Sequence, residues 1–128
     1  MTAVPIGIAV VEQADRFLVG TRPAETVLAG FAEFPGGKCL PGETAEACAV
    51  RECFEETDLD VEPVCLLEAR TWTYPHGTVA LSFVLCRPTD PRARPREPFH
   101  WVPRSELATL RFPDANRSVI GKLMEGGT

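Results

Sequence analysis

The sequence predicts an α+β fold built on a mixed sheet, from three observations. Two apolar, β-branched runs near the N-terminus flank a short polar turn. A helical stretch with a clear N-cap follows a glycine-rich turn. Strand-rich segments then lead to a second helix at the C-terminal end. The resulting order, β-β-α-β-β-β-α, suits one sheet with helices packed against it.

Val4 to Val11 is almost wholly apolar and reads as a buried strand. Arg16 to Thr21 reads as its hairpin partner across Glu12-Gln13-Ala14-Asp15. Residues 22–33 read as irregular, and Phe34-Pro35-Gly36-Gly37-Lys38 as a turn outside any regular element. A loop then runs to Glu43.

Thr44 to Thr57 reads as a helix. Thr44 suits the N-cap, and Glu46 places a negative charge in the first turn, where the helix dipole favours it. Ala47, Val50 and Phe54, at i, i+3 and i+7, are the expected apolar stripe. Asp58 and Asp60 mark the exit.

Val61 to Tyr74 and Thr78 to Cys86 read as strands around a Pro75-His76-Gly77 turn. Arg87 to Pro98 is a loop rich in proline and arginine, and Phe99 to Val102 a short strand. Pro103 opens a helical turn through Leu107. Asp114 to Met124 reads as the last helix, with Val119, Leu123 and either Ile120 or Met124 facing the core. No repeat, linker or low-complexity tract interrupts the chain, so residues 1–128 read as a single domain.

Composition narrows the class. Hydrophobic residues make up 45% and charged residues 24%, ordinary for a soluble globular protein. No apolar run approaches the roughly 20 residues that span a bilayer, and the Met1-Thr2-Ala3-Val4-Pro5 start lacks a basic leader. The expectation is a cytoplasmic protein with no membrane partner. Cys39, Cys48, Cys53, Cys65 and Cys86 are odd in number and form no C-x-x-C pair, which argues against a disulfide framework or a zinc site. Apolar neighbours suggest buried thiols instead.

The net charge of -5 is concentrated. Between Glu43 and Asp60 stand seven acids and one base, Arg51. Such a cluster repels itself unless a cation joins it. The overall acidity also argues against a nucleic-acid partner.

Glu52, Glu55 and Glu56, at i, i+3 and i+4, share one face of the predicted helix. Hard divalent cations take several oxygen ligands and bind alongside substrate phosphates. The carbonyl of Gly36 or Gly37 can add a ligand, because glycine lets the backbone approach closely. Arg51 can hold a carboxylate with a forked hydrogen bond. By themselves these glutamates could equally be a solvated acidic face.

The wider spacing is specific. Gly37 is followed after five residues by Glu43, after seven more by Arg51-Glu52, then by Cys53, Phe54, Glu55-Glu56, Thr57, Asp58 and Leu59. A chance match at the six glycine and charged positions is on the order of one in ten million per start site. This pattern resembles the Nudix box. It departs from it in Cys53, a small apolar residue, and in Asp58, which stands where the family has a helix-ending glycine. Asp tolerates the left-handed conformation at a cost of roughly 1 kcal/mol.

The resemblance implies a Nudix fold, with the mixed sheet sandwiched between helices (α/β/α), and a metal-dependent hydrolase of nucleoside diphosphate linkages. It implies Mg²⁺, with Mn²⁺ able to substitute, held by Glu52, Glu55, Glu56 and the Gly36 or Gly37 carbonyl. It also implies Arg51 as an orienting residue and Glu43 as a support of the loop–helix geometry.

Outside the box, Glu33-Phe34-Pro35-Gly36-Gly37-Lys38, Trp101-Val102 and Phe112-Pro113-Asp114-Ala115-Asn116 resemble the MutT-like group. That likeness implies substrate contacts from Arg22, Glu33, Phe34, Pro35, Gly36, Lys38, Pro113 and Asn116. Asn116 would read a purine edge with its donor–acceptor amide. Glu97 is a candidate further carboxylate. The implied reaction is hydrolysis of 8-oxo-dGTP or a related nucleotide to monophosphate and pyrophosphate, a step of nucleotide-pool sanitation and DNA repair. The partner would be a small-molecule nucleotide, and the protein a monomer or homodimer. The alternatives are a CTP, dCTP or 5-methyl-dCTP pyrophosphohydrolase, an ADP-ribose hydrolase, or a non-catalytic nucleotide-sensing module.

Overall fold

The computed structural model describes residues 3–26 and 28–126. Met1 and Thr2 of the N-terminal reading, and Val27 of the irregular segment, lie outside the described residues. Strands β1 (Val4–Gln13), β2 (Arg16–Thr21), β3 (Ala32–Glu33) and β4 (Gly36–Lys38) precede helix α1 (Ala45–Thr57). Strands β5 (Val61–Tyr74), β6 (Gly77–Pro88) and β7 (His100–Pro103) follow, then two short 3₁₀ turns (Arg104–Thr109 and Asp114–Asn116) and helix α2 (Arg117–Glu125).

The strands form one seven-stranded mixed sheet in the order β3-β2-β1-β6-β5, with β4 on β1 and β7 on β2. β1 runs parallel to β6, with Ile6 beside Leu81 and Val10 beside Leu85, whereas β5 and β6 form a long antiparallel hairpin. The other edge of β1 is divided. Ile6, Gly7 and Ile8 pair with Lys38, Gly37 and Gly36 of β4. Glu12 and Gln13 pair with Phe17 and Arg16 of β2 across a tight turn at Ala14 and Asp15, both at positive φ.

Alternation along the strands sorts the core into two layers, as the period of two requires. Val10, Phe17, Val19, Leu81 and Phe83 pack under α2 residues Val119 and Leu123. Ala9, Val11, Leu18, Val84 and Cys86 pack under α1 residues Ala49 and Cys53. The sheet thus lies between helices, the expected α/β/α arrangement.

Two expectations need correction. Phe34 to Lys38 is not simply a turn, because Gly36–Lys38 forms β4. A side chain at Gly36 would come within 2.7 Å of the Gly7 carbonyl oxygen, so this close pairing is open only to glycine. Of the expected apolar stripe of α1 only Val50 packs against the core. Phe54 is 53% exposed and Ala47 is exposed, while Cys48, Ala49, Cys53 and Thr57 are buried. Small side chains form the packing face because α1 lies close on β1: a Cβ on Gly7 would approach Cys48 Sγ to 2.7 Å. The cysteines also divide. Cys48, Cys53 and Cys86 are buried, Cys39 is partly exposed, and Cys65 is exposed on β5. Among the described residues, no helix is long and apolar enough to cross a membrane.

Candidate active site

Helix α1 is fastened at both ends. Thr44 Oγ1 accepts the Ala47 amide at 3.1 Å, the expected N-cap. At the other end Asp58 is left-handed, with φ 64°, and its amide reaches the Phe54 carbonyl. Arg96 completes this end: its Nη2 donates to the Glu55 carbonyl at 2.6 Å and its Nη1 to Asp58 Oδ1 at 3.1 Å. Its backbone amide donates to the Thr57 carbonyl at 2.8 Å. A cation at a helix C-terminus complements the dipole, so Arg96 serves the helix end.

Arg51 is the hub of the loop–helix junction. Its Nε and Nη2 fork onto Glu43 at 2.7 and 2.9 Å. Nη1 reaches Glu52 at 3.2 Å and Glu55 at 3.1 Å, and Nη2 also donates to the Lys38 carbonyl at 3.1 Å. Glu43 additionally accepts the Leu40 amide at 2.8 Å. The Arg51 fork, then the Leu40 amide, hold the Glu43 carboxyl down to about 2. Hydrogen bonds to Glu43, then to Glu55, push Arg51 up from its ordinary value.

Glu52 and Glu56 turn inward, whereas Glu55 is exposed. Glu52 lies directly over β4: a Cβ on Gly37 would sit 2.5 Å from its carboxylate. Burial, then the neighbouring Glu52 and Glu33 carboxylates, push Glu56 up to about 8, with the Gly36 backbone opposing. Glu33 is raised by its own burial, offset by Arg22, whose Nη1 lies 3.1 Å from its Oε1. Three inward carboxylates therefore face one another beside two glycines. A divalent cation fits this donor set, since it replaces the proton that burial, then repulsion, favours on Glu56.

Glu33, together with the Gly36-Gly37 pair over which Glu52 lies, borders a cleft of about 360 Å³. Gly36, Gly37, Glu33 and Arg22 line it together with Phe34, Pro113 and Asn116. Phe34 stacks on Phe112 with ring centroids 4.9 Å apart. Asn116 occupies the N-cap position of α2, yet its side chain makes no capping hydrogen bond. Its amide remains available to the cleft.

Several sequence-predicted positions lie elsewhere. Pro35 is fully buried, and its carbonyl accepts the Ala9 amide. Lys38 is exposed and lies off the cleft, contributing its carbonyl to Arg51. Glu97 is exposed and follows Arg96, which is bonded to the end of α1.

Sequence reasoning missed the cleft floor, Ile6 and Ile8 of β1 with Leu81 of β6, and the lip, Tyr74 and His76. The alternation of Ile6 and Ile8 within an apolar strand carried the only signal for the floor. Tyr74 and His76 stack on each other with centroids 5.5 Å apart at the β5–β6 hairpin, where the sequence suggested only a turn.

Comparison with known proteins agrees with this geometry. The NUDIX domain family model matches residues 7–122. The 8-oxo-dGTP diphosphatase of Escherichia coli K12 is 33% identical over 122 residues, covering 94% of this chain and 94% of that protein. A solved structure from work on MutT of Aliivibrio salmonicida and Vibrio cholerae superposes with a TM-score of 0.67 at 27% identity, covering 97% and 98% of the two chains. MutT from methicillin-resistant Staphylococcus aureus 252 superposes with a TM-score of 0.78 over 98% of each chain; at 24% identity it speaks for the fold alone. Matched along nearly its whole length, with Arg51 joining Glu43, Glu52 and Glu55 at one loop–helix junction, the chain belongs to the NUDIX domain family of hydrolases acting on phosphoric anhydrides.

Proposed function

We propose that this protein hydrolyses a purine nucleoside triphosphate, with 8-oxo-dGTP or dGTP as the preferred class, to the monophosphate and pyrophosphate. The carrying observation is the Asn116 side chain, which makes no capping bond, in the same cleft as Glu33 and the Gly36-Gly37 pair that lies beneath Glu52. Asn116 offers a donor and an acceptor in one plane, matching the edge of a purine. Phe34 and Pro113 give the base an apolar wall, and Ile6, Ile8 and Leu81 its floor. The E. coli relative's activity supports the same class.

Nudix hydrolases generally need a divalent metal, and Mg²⁺ is the ion we assign. Glu52, Glu56 and the Gly36 carbonyl would hold it, with Glu55 and the Gly37 carbonyl as further oxygen donors. Bound there, Mg²⁺ supplies neutralisation of phosphate oxygens and acidification of a water. Arg51 keeps Glu52 and Glu55 aimed and shares their charge with Glu43. A glutamate carboxylate accepts the proton of the attacking water, and one P–O–P bond is broken by in-line displacement. Arg22 holds Glu33 at the mouth of the acid cluster.

The test is a substrate panel of 8-oxo-dGTP, dGTP, dCTP, 5-methyl-dCTP and ADP-ribose, assayed with Mg²⁺. The highest kcat/KM is expected for a guanine nucleotide. A preference for dCTP over every guanine nucleotide overturns the purine assignment.

A further inference from the structure

Outside the carboxylate cluster, two neighbouring thiols are unaccounted for by hydrolysis. Cys39, just past β4, and Cys48, in the second turn of α1, meet at Glu43, with the three ligand atoms all within 4.8 Å of one another. The Cys39 backbone amide is tied to the Pro5 carbonyl at 2.9 Å. The buried Cys48 thiol donates to the Gly37 carbonyl at 3.3 Å. Arg51 Nη2 lies 3.9 Å from Cys48 Sγ while it forks onto Glu43. A soft cation held by the same three atoms would sit against that guanidinium, which opposes a metal site here.

We infer that Cys39 and Cys48 form a reversible regulatory disulfide across the loop that carries Glu43. The two sulfurs need only close to about 2 Å, and the chain between them is short. Cys39 is partly exposed and Cys48 fully buried, so an external oxidant meets Cys39 first. With glutathione disulfide as oxidant, the Cys39 sulfur attacks one glutathione sulfur. That step expels one glutathione thiol and leaves a mixed disulfide on Cys39. The Cys48 sulfur then attacks Cys39 Sγ and expels the second glutathione. Both cysteine protons end on the two glutathione thiols, and two electrons pass from the protein to the oxidant.

Oxidation removes the S–H that Gly37 accepts and draws Cys48 toward the loop. Both changes act on the neighbours of Glu52: the Gly37 carbonyl and the Arg51–Glu43 fork. The oxidised enzyme therefore loses activity by roughly tenfold or more, the scale on which outer supports of a metal site act. This consequence rests on the proposed hydrolase reading; the disulfide itself does not.

Incubation of the folded protein with glutathione disulfide tests both parts. Trypsin releases Cys39 to Arg51 as one peptide, expected to be lighter by two hydrogens. Cleavage after Glu43 or Glu46 should leave its halves joined until a reductant is added. Activity should fall with the appearance of this peptide and return on reduction. Cys39→Ser should retain full activity and resist the oxidant, whereas Cys65→Ser should respond like the parent. Recovery of only glutathione adducts or free thiols on this peptide overturns the disulfide. A mapped disulfide with unchanged turnover overturns the regulatory role. Oxidant sensitivity persisting in Cys39→Ser does so as well. Absence of hydrolase activity in the reduced protein would instead count against the function proposed above.

Discussion

Arg51 and Glu43 are joined by a two-pronged bond, Nε to Oε2 at 2.7 Å and Nη2 to Oε1 at 2.9 Å. It ties the middle of α1 to the loop before it. Lysine keeps the charge but cannot make the fork. Arg51→Lys is expected to lower kcat by about 10–100-fold. Glu43, held down to about 2, contributes stability that is present above the ordinary carboxylate range and lost as pH falls toward 2. Without the fork that contribution is missing already at neutral pH, so the acid-unfolding midpoint followed by circular dichroism should shift upward in Arg51→Lys.

Glu56 gives the opposite sign. Its carboxyl, raised to about 8, binds a proton in the folded state that the unfolded chain releases near its ordinary value of 4.5. Between these values the native state holds more protons, so the metal-free protein loses stability as pH rises through the window. Melting temperatures measured in chelator from pH 5 to 9 should fall more steeply for the parent than for Glu56→Gln. Metal binding should release a proton below pH 8, seen by calorimetry in buffers of different ionisation enthalpy, and Glu56→Gln should abolish that release.

Asn116→Ala should reduce discrimination between guanine nucleotides and dCTP by about 1–3 kcal/mol. Turnover at saturating substrate should change little. The ratio of kcat/KM values reads this directly, and equal losses on all nucleotides would assign Asn116 to the fold alone. Because its side chain does not cap α2, the melting temperature should hold.

Arg96→Ala strips the end of α1 of its bonds to the Glu55 carbonyl and Asp58. A loss of about 1–2 kcal/mol is expected in denaturant unfolding. Asp58→Gly in the same background should recover part of it, since glycine adopts φ 64° without penalty.

What the sequence disclosed follows from locality. The Gly37, Glu43, Arg51 and Glu52 spacing lies within one loop and one helix, so the site could be read along the chain. The N-cap at Thr44 and the left-handed Asp58 were legible for the same reason. The packing face of α1 was not. Hydrophobic periodicity looks for large apolar residues, whereas this helix seats Cys48 and Ala49 on β1 and turns Glu52 and Glu56 inward. β4 was hidden because it is short and two of its three residues are glycine. The cleft floor was hidden because Ile6 and Leu81 become neighbours only through the parallel pairing of β1 with β6. The approach of Cys39 to Cys48 likewise needs both the β4 pairing and the helix docking.

The alternation of β1 separates two kinds of evolutionary freedom. Ile6 and Ile8 face the nucleotide cleft, while Gly7, Ala9 and Val11 face the helix that bears the carboxylates. Ile6 and Ile8 can therefore drift to suit a different base while Gly7, Ala9 and Val11 keep the phosphate chemistry in register. A single insertion in this strand would exchange the two sets and forfeit both at once.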